Sequence, residues 1–372
     1  MQFQNKIQIK NRIAYLASLT LLFSYAELFI PKFIPFLRLG LGNIIILLAF
    51  SLPFPYFLLL NMIKILANCM LQGTLFSPFL IISLGQGFAS AMVMYVLSKI
   101  SVIKTKSKSV NILSLYGISL IGSAVSAIIQ ILLTGLYLGK GTYALLGPML
   151  LFSAVSGLVT AFFACHLKIQ ESYPELIKSQ SLSAVKIKDE SNLSKIIIGI
   201  LVLICAGIVI YIDRIVFILP LFAAALIFQL ICHRKIMILP YLSLWLLVLV
   251  CYIFIPNGEV LFRLWNLTVT KGALATVVIK AGKLSILMSV SQAASSIRPS
   301  DNSESIISLT LAYFSGFTNS YRNAKGNIYK KLQAALDSKE LIQNSSAKKG
   351  ITLLKTLIFT VIVIIFFVIS LI

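Results

Sequence analysis

"KIIIGILVLICAGIVIYI", residues 195–212, carries one charged side chain at its first position and none after it. A run of this length can cross a hydrocarbon core of about 30 Å as a helix. Inside lipid every backbone N–H and C=O must find its partner within the protein, so the run is read as α-helix. The same reading applies to "IAYLASLTLLFSYAELFI" (13–30) and to the closing "ITLLKTLIFTVIVIIFFVISLI" (351–372). Apolar residues make up 59% of the chain and charged residues 12%, against about 25% charged in soluble domains. The fold class that follows is all-α: a polytopic helical membrane protein of about eleven spans in two bundles.

Working outward, spans are expected near 13–30, 39–52, 54–72, 76–97, 111–138 and 143–167, then near 195–212, 215–232, 236–255, 272–291 and 351–372. The first run is read as a retained span, being too long for a cleaved signal peptide and lacking a small-residue cleavage site. With Lys6, Lys10 and Arg12 inside, the lysine-rich "KISVIKTKSKSV" also falls inside and the turn "GKGT" outside, as cationic loops prefer. Asp213 and Arg214 then lie on an outer turn, "HRK" (233–235) inside and the C-terminus outside. Residues 168–194 mix charge, serine and one proline without periodicity and read as a cytoplasmic linker between residues 1–167 and 195–372. Residues 292–350 are polar with patches of helical period and read as cytoplasmic helices at the membrane surface. This topology accounts for the net charge of +21, so nucleic-acid binding is not needed to explain it.

Catalytic chemistry is missing from the pattern. There is no phosphate-cradling G-x-x-x-x-G-K-[ST] loop, and the one adjacent acidic pair, Asp189–Glu190, lies in the linker. His166 and His233 sit at span ends beside cations and read as interfacial anchors, while the five cysteines lack metal spacing and read as small packing groups. The chain is therefore not expected to be an enzyme, nor to hold a cofactor or metal.

What stands out is a polar stripe. "LLLNMIKILANCMLQ" places Asn61, Lys64, Asn68 and Gln72 at i, i+3, i+7 and i+11, one face of an otherwise apolar helix. Ser83, Gln86 and Ser90 follow similar spacing on the next span, and Gln130 lies on the one after. Amides of this kind serve to tie helices together. A lysine costs roughly 3 kcal/mol or more to insert, which is expensive for glue alone and points to a cavity. Glu27, at the outer end of the first span, is placed to pair with Lys32 or Arg38. Ala14, Ala17 and Ser18 form a small-residue face that permits close approach of another helix.

"FLRLGLGNIIILLAF", "NMIKILANCMLQGTLFSPFLIISLGQGFASAMVMYVL" and "GSAVSAIIQILLTGLYLG" resemble the Gx transporter family, also described as heptaprenyl diphosphate synthase component I, over about residues 10–167. That family resembles the substrate-binding S-components of energy-coupling factor (ECF) transporters. The resemblance implies a six-helix domain with a pocket near the outer face and a gating loop between spans one and two. Arg38 would line its access and Asn43 would face the bundle, joining Asn61, Lys64, Asn68, Gln72, Gln86 and Gln130 as substrate-binding residues. Ala14-x-x-x-Ser18 is similar to the Ala-x-x-x-Ala face those domains turn to their membrane partner. The chain departs from the family in carrying Lys64 where arginine is frequent, and in "SAVSAIIQ" ahead of Gln130.

The second half more loosely resembles a T-component of the same transporters. "NAKG" (323–326) is similar to the Ala-Arg-Gly motifs that seat on ATPase subunits, which makes Arg322, Ala324, Lys325 and Gly326 the coupling residues. The implied protein is an S–T fusion in a bacterial cytoplasmic membrane, N-terminus inside. It would take up a small solute, with ATP used by separate ATPase subunits. The alternative is a non-catalytic membrane component of heptaprenyl diphosphate synthase, partnered by a soluble synthase subunit.

Overall fold

The apolar runs fold as helices, and their ends follow local chemistry. The structure, a computed structural model, describes residues 2–27, 40–105, 108–111, 113–166, 192–253, 258–264, 267–294, 306–336 and 351–371. In the first half α1 (Gln2–Glu27), α2 (Asn43–Leu48), α3 (Phe54–Gln72), α4 (Pro78–Ile100), α5 (Leu115–Leu138) and α6 (Leu146–His166) follow one another. The second half holds α7 (Asn192–Tyr211), α8 (Ile215–Ile231), α9 (Ile238–Ile253), α10 (Lys271–Ala294), α11 (Ile306–Asn323), α12 (Ile328–Leu336) and α13 (Leu353–Leu371). Pro78 opens α4, where its missing N–H leaves no bond unmade. Gly73, at φ +65°, ends α3 in the left-handed conformation that favours glycine.

Among the described residues six helices are long and apolar enough to cross a membrane (α4, α5, α6 with its preceding turn, α7, α10 and α13), and α3, α8 and α9 supply shorter apolar ones. The chain is an all-α polytopic membrane protein. Two antiparallel hairpins interrupt it. One, β1 (Val102–Thr105) with β2 (Lys108–Asn111), forms within the lysine-rich loop, and the other, β3 (Val260–Leu264) with β4 (Leu267–Thr270), joins α9 to α10. The linker expected at 168–194 lies outside the described residues as far as residue 191, and the same holds for 295–305 and 337–350 of the expected coupling region.

The expected span at 39–52 differs in form. It is the six-residue α2 followed by a 3-10 turn at Ala49–Ser51. It nevertheless runs alongside α1, between Glu27 and Arg12, in the opposite direction. The Gly40 and Leu41 amides reach Glu27 near one end of α1, and Ser51 Oγ accepts from Arg12 Nη2 near the other. Residues 12 to 27 of a helix cover about 22 Å. The stretch covers that distance by alternating helix with open turns, because Gly40 and Pro53 stop regular helix on either side.

Small residues bring α4, α5 and α6 together. Ser90 Oγ donates to the Gly122 carbonyl and Ser119 Oγ to that of Gly157, each at 2.7 Å across a helix pair. In the second half α10 is the central helix, buried on most sides, whereas the other long helices expose much of their surface. Its Lys283 is paired, donating to Asp213 Oδ1 and to the Ile210 carbonyl, both at 2.6 Å.

Among the described residues two seams join the halves, besides the bond from the Tyr252 hydroxyl to the Leu138 carbonyl. First, α11 packs against α1: Tyr15 makes edge contacts with Tyr313 and Phe317, and Tyr25 with Phe314 and Tyr321. Arg322 donates to the Tyr25 hydroxyl at 3.0 Å. Desolvation, with Tyr15 adding a smaller effect, pushes the Tyr313 phenol up to about 12, so this ring is neutral at physiological pH. Second, the rim of the first bundle lies along α10. The Phe76 amide donates to Ser291 Oγ at 2.9 Å, and Lys280 Nζ donates to the Tyr137 carbonyl at 3.1 Å.

Those two α10 residues are about 16 Å apart along the helix. Yet Phe76, in the α3–α4 turn, and Tyr137, in the last turn of α5, both lie at the same end of the first bundle. That end of the first bundle is thus applied to the flank of the second.

The α1–α11 seam gives a direct test. Phe317→Ala should cost about 3 kcal/mol through the cavity it leaves. Hydrogen exchange is expected to rise throughout α11 while α4–α6 keep their protection.

Candidate functional site

A cavity of about 760 Å³ lies between the halves. Its first-half wall is built from α3, α4, α5 and α6, whose small residues leave room at the bundle centre, with Glu27 of α1 and Asn43 of α2 at the edge. Lys64, Asn68 and Gln72 of the polar stripe line it, together with Gln86, Gln130 and Asn43. The structure therefore brings together six of the eight residues singled out for binding. Asn61 lies off the lining: its Nδ2 donates to the Gly87 carbonyl at 3.2 Å and ties α3 to α4. Arg38 lies outside the described residues.

Lys64 is only 9% exposed, and Nζ donates to Asn43 Oδ1 at 2.8 Å. The left-handed Gly40 makes this possible. A Cβ there would stand 3.1 Å from Asn43 Nδ2 and would crowd the amide. Glu27 also lines the cavity and is buried, and its two carboxylate oxygens accept the Gly40 and Leu41 amides at 3.1 Å each. The carboxylate serves to fix the approach to α2; Lys32 lies outside the described residues, as Arg38 does. Gln72 Nε2 donates to Asn68 Oδ1 at 2.9 Å, one turn along the stripe.

The second half closes the cavity, which the sequence pattern did not reveal. His233, Arg234, Lys235 and Gln292 all line it. His233 ends α8 at φ +56°, a position that glycine usually fills. The bonds from His233 N to Leu230 O and from Arg234 N to Gln229 O form the paired closure of a Schellman turn. Gln229 Nε2 donates to Gln292 Oε1 at 2.7 Å, and Tyr241 donates to Gln229 Oε1 at 2.9 Å. That network holds Gln292 against Gly73, where an added Cβ would stand 2.9 Å from the Gln292 Cα. A span-end histidine read alone signals only an anchor; its signal as a wall was that "HRK" (233–235) is a cationic turn between two apolar helices.

Ala14, Ala17 and Ser18 are fully buried in the apolar cluster that also holds Tyr313, Phe317 and Tyr321 of α11. Arg322, Lys325 and Gly326 are exposed around the α11–α12 turn, with Ala324 half-buried beside them. Among the described residues no three His, Cys, Asp or Glu side chains gather as a metal site.

Two family models match the chain. Residues 16–167 match heptaprenyl diphosphate synthase component I, the Gx transporter family, and residues 192–294 match a domain of unknown function (DUF8519). No curated protein and no solved structure matches it. The boundary between the matches coincides with the break between the bundles. The first match agrees with the resemblance read from residues 10–167.

Gly73 tests the seam beside the cavity. Gly73→Ala meets both a left-handed backbone and Gln292, so thermal stability in detergent should fall by about 1–3 kcal/mol. Gly147→Ala, with nothing within 4 Å of the added carbon, should leave it unchanged or slightly raised.

Proposed function

We propose that this chain binds a small solute in the shared cavity and couples its uptake to ATP hydrolysis by separate subunits. The first half acts as an S-component does in ECF transporters, and the second as a T-component. The observation that carries this reading is the placement of the first bundle, with its cavity against α10 and its α1 seated on α11. A binding domain that stood upright would open its cavity outward. Turned onto the flank of its partner, the same cavity faces His233–Lys235, at the end of the second bundle expected inside. Alternation between those placements carries a solute across without opening a continuous pore.

The motion needs a lever that reaches the cytoplasm, and α11 with α12 supplies one. The exposed Arg322, Lys325 and Gly326 with the half-buried Ala324 form the surface on which ATPase subunits dock. The N-terminus and the 168–194 linker are cytoplasmic in this arrangement, and the membrane is the bacterial cytoplasmic membrane. A second reading follows from the description of the matched family: a non-catalytic membrane subunit that recruits a soluble prenyl diphosphate synthase. It leaves the exposed α11–α12 turn without a role.

Purification of the full chain with its native partners separates the two. ATPase subunits should co-purify with the wild type, and Ala324→Leu or Lys325→Glu should reduce their recovery at least about tenfold, as loss of a central contact does. Membrane insertion should persist. A prenyl diphosphate synthase in place of ATPases would establish the second reading.

A further inference from the structure

We propose that the Lys64 end of the cavity is an anion site, which takes the carboxylate or phosphate of a small organic solute on Lys64 Nζ. The inference rests on the transport reading of this cavity and adds the charge of its solute.

Two buried lysines in this chain are treated differently. Lys283 has a carboxylate and a carbonyl at 2.6 Å, so its charge is answered within the protein. Lys64 is as deeply placed, but among the described residues its one hydrogen bond goes to a neutral amide, Asn43 Oδ1, and it makes no ion pair. An ammonium carries three donors, so two remain for a ligand. Among the described residues the one carboxylate lining the cavity is Glu27, whose oxygens are already engaged by two backbone amides. A buried cation without a counter-charge is costly, and an anionic ligand removes that cost on binding.

The rest of the lining fits the same class. Its fixed charges are Lys64, Arg234 and Lys235 against Glu27, an excess that draws anions. Gln86 and Gln130 face the space with no hydrogen bond among the described residues, which leaves amide donors for the polar part of a solute. Phe79, Met149 and Phe152 add apolar surface. With about 760 Å³ to fill, the occupant is an organic anion and not a bare inorganic ion.

The test uses the full-length protein in phosphatidylcholine nanodiscs, titrated with benzoate and with its neutral isostere benzamide by thermal denaturation. Benzoate should bind about 10- to 100-fold more tightly, the worth of one charged hydrogen-bonded contact. Lys64→Gln should abolish that preference while melting as a folded protein without ligand, and Lys64→Arg should retain it. Equal affinities, no response to benzoate, or a preference that survives Lys64→Gln would each overturn the assignment. Phosphatidylglycerol added to the nanodiscs should change nothing. If it removes the benzoate response, the site belongs to a lipid headgroup and the solute assignment falls. ATPase recovery from the same preparations is read separately. Its loss refutes transport without touching the anion result, and a benzamide preference with ATPases bound leaves transport standing for an uncharged solute.

Discussion

A lysine on a lipid-embedded helix has nowhere to put its charge except inward. That constraint on Lys64 organises the first bundle. Hydrocarbon supplies no hydrogen bonds, so α3 must turn its stripe of Lys64, Asn68 and Gln72 toward the helices around it. Those helices must leave room for it. They do so through small residues, Ser90 on Gly122 and Ser119 on Gly157, which hold α4, α5 and α6 close while taking up little of the space they line. Asn43 then needs a route to Lys64, and the broken geometry of 39–52 provides it. A continuous helix there would lack the open turns around Gly40 that bring Asn43 to the lysine.

The second half answers the same constraint differently. Its central helix, α10, buries Lys283 by pairing it with Asp213, and directs a second cation, Lys280, to the Tyr137 carbonyl of the first bundle. The Gln229–Gln292–Tyr241 network then fixes the far end of α10 against the Gly73 turn. Polar groups inside the membrane thus serve three ends in one chain. They lock a helix, join two bundles and line a cavity.

Much of this was legible in the residues. Length and hydropathy alone establish helices, because lipid excludes every other chain conformation with open backbone bonds. The stripe at Lys64 could be read because helical period and insertion cost point the same way. Other features depend on contacts that no local pattern encodes. Asn61 shares the face of Lys64, yet it bonds to Gly87, since the face is wider than the cavity. His233–Lys235 look like a cytoplasmic turn until the first bundle is laid against them, and only tertiary placement makes them a wall. The aromatic seam of α1 with α11 joins residues about three hundred positions apart, Tyr25 with Arg322, through a surface whose period in α11 signals amphipathicity and not its partner.

The central claim is that the end of the first bundle that carries Thr74 lies on the flank of the second, beside His233–Lys235. Spin labels on Thr74→Cys and Arg234→Cys would measure it most directly, in a background whose five native cysteines are replaced. Double electron–electron resonance in nanodiscs should report a population well below the roughly 30 Å thickness of the hydrocarbon core. Distances at or above that thickness throughout, with no shorter population, would mean two upright bundles with their labelled turns on opposite sides of the membrane, and would contradict the account.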